Sequence, residues 1–109
     1  MENIGDSLRD LAWSTRAFYE RFGVTPELEG CIRNFQEEAA ELIEAAQHGA
    51  DRDHIAEEAA DVFVTAIGVC YASGVDVDRL VAQLYAVIAK NDAKNHQTHV
   101  YANGKIRRR

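Results

Sequence analysis

Glu37-Glu38-Ala39-Ala40-Glu41 and, twenty residues on, Glu57-Glu58-Ala59-Ala60-Asp61 are two near-copies of one acidic pattern. Both consist of strong helix formers, and the apolar residues around them recur with a helical period. Leu28, Ile32, Phe35, Ala39, Leu42, Ile43 and Ala46 precede the segment 47–53; Ile55, Ala59, Val62, Phe63, Ala66, Ile67 and Cys70 follow it. The spacing predicts two antiparallel helices joined by a turn. In each cluster the outer acids, Glu38 with Glu41 and Glu58 with Asp61, stand i, i+3, which sets both carboxylates on one face about 4.5 Å apart along the axis. In such a hairpin, residues whose numbers share one sum lie at one height, and Glu41 with Glu58 shares its sum, 99, with Glu38 and Asp61. The four acids are expected at the corners of a square.

Outward from this pair, a first helix is expected from about Ser7, as N-cap, to Phe22, with Leu8, Leu11, Ala12, Thr15, Phe18 and Tyr19 on its stripe and Gly23 as its stop. Thr25-Pro26 reads as cap and first residue of the second helix. Asp51 or Asp53 can cap the third, which ends at Ser73-Gly74 and is apolar almost all round after Asp61, so its second half is expected to be buried on several sides. Asp76 or Asp78 can cap a fourth, with Leu80, Val81, Leu84, Val87 and Ile88 on one face. Strand-like alternation is not evident. The expected fold is all-α, a compact antiparallel bundle of four main helices in a single domain, residues 1–109, ending in a basic tail from about residue 96.

The composition, 47% apolar and 28% charged with one Pro, is that of a globular chain. Cys31 and Cys70 are too few for a disulfide scaffold and read as buried thiols; with no signal-like opening, a cytoplasmic location is expected. The most apolar stretch, Val62 to Ala72, is too short to span a membrane. The net charge of −6 divides into −11 over residues 1–89 and +5 over residues 90–109. An acidic body does not suit a duplex, so neither nucleic acid nor membrane is an expected partner, and the terminal arginines read equally well as a frayed tail. A small polyphosphate held through metal ions does suit the split, since it calls for carboxylates behind the metal and Lys or Arg at the outer oxygens.

Glu38 lies at the edge of the apolar stripe with Glu41 one step out, and Asp61 opens a buried stretch. Like charges crowded there must be protonated, spread apart or bound to cations. The donors are all hard oxygens and no Glu-x-x-His occurs, so Mg²⁺, with Mn²⁺ as substitute, is the natural ion for Glu38, Glu41, Glu58 and Asp61. On the fourth helix the stripe Leu84, Ile88 runs on to Asn91, Lys94 and Asn95. With Lys105, which Gly104 can turn back, this end can meet phosphate oxygens. The four histidines add little: His48 and His54 flank the turn, and His96 with His99 is a weak pair.

Glu37-Glu38-x-x-Glu41, sixteen residues, Glu58-x-x-Asp61, then Asn91-x-x-Lys94 and Gly104-Lys105, resembles the MazG-type all-α nucleoside triphosphate pyrophosphohydrolases (the MazG-like, dUTPase-like superfamily) over about Phe35 to Lys105. Ala40 departs from the glycine many members carry before the third Glu. The resemblance implies that Glu38, Glu41, Glu58 and Asp61 hold Mg²⁺, that Glu37 helps hold a further ion, and that Asn91, Lys94 and Lys105 contact the triphosphate. It also implies a homodimer or homotetramer with its site near a subunit interface. The implied reaction is hydrolysis between the α and β phosphates to a nucleoside monophosphate and pyrophosphate, with Glu38 as general base, or Glu41 in its place. Trp13 and Phe35 read as core aromatics, with stacking on a base as their functional alternative. A narrower substrate (dUTP, dCTP or phosphoribosyl-ATP) and a non-catalytic oligomerisation module are the competing readings.

Overall fold

The computed structural model describes residues 4–109. Four helices follow one another, α1 (Ile4–Arg21), α2 (Leu28–Gln47), α3 (Arg52–Ala72) and α4 (Val77–Asp92), and two short strands, β1 (His99–Ala102) and β2 (Lys105–Arg108), close the chain. The architecture is the expected all-α bundle with a small hairpin appended.

Of the paired cap candidates, the earlier aspartate acts in each case. Asp51 accepts from the His54 backbone N–H at 3.0 Å and Asp76 from that of Arg79 at 2.7 Å, each relieving one orphan donor of a first turn. Two expected starts are corrected. α1 already includes Ile4, so Ser7 lies within it. α2 begins at Leu28, because Glu27 is still extended (φ −87°, ψ 135°); Pro26 stiffens the connection instead of opening the helix.

α2 and α3 form the closest pair, and α1 lies across α3 and α4. One close approach depends on Gly68, where a Cβ would stand 2.8 Å from the Tyr19 hydroxyl. Its absence lets the Tyr19 ring lie against α3, stacked on Tyr71 at 5.9 Å, with the hydroxyl 3.9 Å from Cys31 Sγ. Between α1 and α4, Ala12 packs with Val77 and Val81, and Arg9 pairs with Asp78.

Among the described residues, no large side chain is fully buried. The second half of α3 was expected to be covered, yet Phe63 is 61% exposed, and Ile43 on α2 is 56% exposed. The reason is topological: α4 docks chiefly on α1 and leaves these faces without a helix over them. Trp13, read as a core aromatic, is also exposed, with the Arg16 guanidinium 5.4 Å above its ring. The radius of gyration, 16.3 Å, exceeds the roughly 13 Å of a near-spherical chain of this length.

The C-terminal segment is not a frayed tail. β1 and β2 pair antiparallel, His99 with Arg108 through Ala102 with Lys105, around Asn103 and Gly104 at φ 54° and 75°. Both central residues in the left-handed region mark the hairpin turn that Asn-Gly favours. No helix among the described residues is long and apolar enough to cross a membrane.

Candidate metal centre

The hairpin register brings Glu38 of α2 to Glu58 and Asp61 of α3, each offering a carboxylate oxygen such that all three lie within 4.8 Å of one another. That span suits opposing oxygens around one hard divalent ion. Glu41 joins them electrostatically, its negative charge raising the proton affinity of both Glu38 and Glu58. Glu37 is exposed and stands outside the three-residue group.

Two oxygens carry the electrostatic argument. Glu38 Oε2 and Glu58 Oε2 are buried without a hydrogen-bond partner. A buried acceptor left unsatisfied is costly, and native proteins retain few without a reason. Burial first, then the neighbouring carboxylates, raises both groups above the ordinary carboxylate range; for Glu38 these are Glu41, Asp61 and Glu58, in falling order. For Glu58, Glu41 acts more strongly than Asp61, and His54 opposes them. No lysine or arginine takes part in these shifts. Orphaned, crowded, hard oxygens with no lysine or arginine partner fit a divalent metal ion.

His54 is the functional candidate that the sequence reading passed over. Its Nε2 lies 3.6 Å from Glu58 Oε1, one turn along α3, and the i, i+4 spacing was the available signal. Glu41, Glu44, His48, His54 and Glu58 also line an open cavity of about 300 Å³ at the turn end of the hairpin, where a ligand can approach.

The basic residues lie elsewhere in the chain. Lys94 Nζ donates to Asn91 Oδ1 at 3.0 Å, and both line a separate cavity between the end of α4 and the β-hairpin. Lys105 stands beside the hairpin turn, paired with Ala102 and exposed, and does not line that cavity. Cys31 is buried and Cys70 half-buried, and both are free thiols.

Residues 23–87 match the family model described as phosphoribosyl-ATP pyrophosphohydrolase. No curated protein and no solved structure matches the chain. The matched segment contains α2, α3 and every acid of the centre, and it ends before Asn91.

Proposed function

Because the chain belongs to the phosphoribosyl-ATP pyrophosphohydrolase family, within the MazG-like all-α superfamily, we propose that it is a Mg²⁺-dependent pyrophosphohydrolase cleaving between the α and β phosphates of a nucleoside triphosphate. The family match favours phosphoribosyl-ATP among the narrower substrates. The observation carrying this reading is the pair of buried, unpartnered oxygens on Glu38 and Glu58, two of the three residues of one acidic group.

Glu38, Glu41, Glu58 and Asp61 would hold the ion, and Glu37, one residue before Glu38 but exposed, would reach only a further ion on the solvent side. A bound Mg²⁺ would neutralise charge developing on the leaving pyrophosphate and acidify the attacking water. Mn²⁺ would substitute. Glu38 takes the water's proton as its oxygen bonds to the α phosphorus and the bond to the bridging oxygen breaks; its raised proton affinity suits a general base, and Glu41 is the alternative. Asn91, Lys94 and Lys105 supply hydrogen bonds and positive charge to substrate phosphates. The free thiols suit a cytoplasmic setting.

The exposed apolar faces support a homodimer or homotetramer. Leu8, Leu11, Phe63, Ile67, Leu80 and Leu84 line an apolar groove of about 310 Å³ between α1, α3 and α4, with Phe63 at its edge. A Phe63→Glu chain is expected to sediment as a smaller species than the wild type. An unchanged sedimentation coefficient would count against this interface.

The assay is release of pyrophosphate from phosphoribosyl-ATP and a panel of nucleoside triphosphates with Mg²⁺. Turnover is expected for at least one of them, lost in EDTA and restored by Mg²⁺ or Mn²⁺. Turnover of none, or turnover that EDTA leaves intact, would refute the proposal.

A further inference from the structure

Beyond residue 87 the chain continues past the family match. The end of α4, the following turn and the β-hairpin enclose a cavity of about 440 Å³ lined by Asn91, Lys94, His96, His99, Val100 and Ile106, with no carboxylate in its wall. Its frame is well fastened. Asn95 Oδ1 accepts from the backbone N–H groups of Gln97 at 2.8 Å and Thr98 at 3.2 Å, and the His99 N–H donates to Asn95 O at 2.8 Å. Arg109 returns to the same turn, its backbone N–H donating to Thr98 O at 3.0 Å and its Nε to His96 O at 2.8 Å.

The donors have defined positions. The Lys94 ammonium is held by Asn91 Oδ1 at 3.0 Å, which leaves the Asn91 amide N–H groups able to donate elsewhere. The His99 ring is held through Nδ1, 2.7 Å from the Thr98 hydroxyl. With the Thr98 hydroxyl donating to Nδ1, the neutral ring carries its proton on Nε2 and can donate it to a ligand; with that hydroxyl turned to Asn95 O at 3.3 Å, the proton sits on Nδ1. Partial burial, then Lys94 and Arg108, holds His99 below the ordinary histidine range, which keeps the ring neutral at pH 7. Val100 and Ile106 add an apolar wall. A cationic group, an amide and an imidazole N–H beside apolar side chains suit an anion with several oxygens borne on a compact ring.

We propose that this cavity binds a phosphate monoester carried on a ribose ring, without a metal ion, through Lys94, Asn91 and His99. This deepens and rests on the pyrophosphohydrolase reading: phosphoribosyl-ATP bears a triphosphate suited to a metal-loaded acidic centre and, on its second ribose, a monoester suited to a cavity free of carboxylates. The β-hairpin then acts as a specificity element lying outside the family match.

The test is calorimetric titration of the full chain in EDTA with ribose 5-phosphate, inorganic phosphate and ribose. Ribose 5-phosphate is expected to bind at least tenfold more tightly than inorganic phosphate, and ribose not at all. Lys94→Ala and His99→Ala should each weaken binding tenfold or more; His99→Gln, which keeps a side-chain amide at that position, should lose less. Binding should persist in Asp61→Asn, whose defect lies at the metal centre. No binding of ribose 5-phosphate, equal affinity for inorganic phosphate, or insensitivity to both alanine variants would overturn the proposal. If ribose 5-phosphate binds as described while no nucleotide is hydrolysed, it is the catalytic reading that fails; hydrolysis without that binding refutes the cavity alone.

Discussion

An Asp61→Asn chain is expected to lose pyrophosphate release by about a thousandfold or more, while its metal-free form melts at a higher temperature than the wild type. The first effect follows from the ligand set: a clustered carboxylate becomes a neutral amide, a weak ligand for a hard divalent ion. Losing the several kcal/mol of charge stabilisation that such an ion supplies corresponds to about three decades of rate. The second effect has the opposite sign because Asp61 repels both Glu38 and Glu58, and asparagine has nearly the same shape at an exposed position. Rate measurements with Mg²⁺ and melting in EDTA check the two halves separately. Retained turnover sinks the assignment of Asp61 as ligand. A lower metal-free melting temperature means that its charge has a stabilising partner in the fold.

The acidic centre should also make metal-free stability fall as pH rises, the reverse of ordinary salt-bridged carboxylates. Glu38 and Glu58 have folded-state pKa values above the ordinary 4.5, so between that value and their raised values the native state holds more protons than the unfolded chain. Stability therefore declines with pH through that window and levels off above it. Mg²⁺ acts against this, because its ligands must be deprotonated, and the stabilisation it confers should be small near pH 4.5 and greatest at neutral pH. Melting in EDTA and in Mg²⁺, compared with a Glu38→Gln, Glu58→Gln chain, isolates the contribution of the centre from that of the other carboxylates. The difference between wild type and variant in EDTA should grow more unfavourable to the wild type as pH climbs. If the wild type gains on the variant instead, the two oxygens are satisfied by something within the protein.

Both effects start from features legible in the sequence. The i, i+3 spacing of Glu38 with Glu41 and of Glu58 with Asp61 is local helix geometry, and the antiparallel register needs only a short turn. The structure accordingly brings Glu38, Glu58 and Asp61 together and couples Glu41 to them. His54 was visible as an i, i+4 neighbour of Glu58, but that spacing alone is a weak signal, and only the fold sets its ring 3.6 Å from the carboxylate. The hairpin was also legible, as Asn103-Gly104. Its strands of four residues are too short for alternation to stand out beside three consecutive arginines.

What the chain's order of residues determined by itself were properties reaching no farther than a helix and its next neighbour: four helices, an aspartate cap for α3 and for α4 at one of two positions each, and the acidic face shared by α2 and α3. Periodicity and capping act over one or two turns, so a linear pattern is enough to specify them. Whether Glu38 Oε2 and Glu58 Oε2 lie buried and unpaired, whether Phe63 is covered, and whether Asn91 and Lys94 stand at the acids or in a cavity of their own depend on how α4 docks, and only the assembled fold settles that. α4 has an apolar face that could equally have covered α2 or α3. The packing of Val77 and Val81 on Ala12 places it on α1 instead, a choice made by contacts between residues more than sixty positions apart.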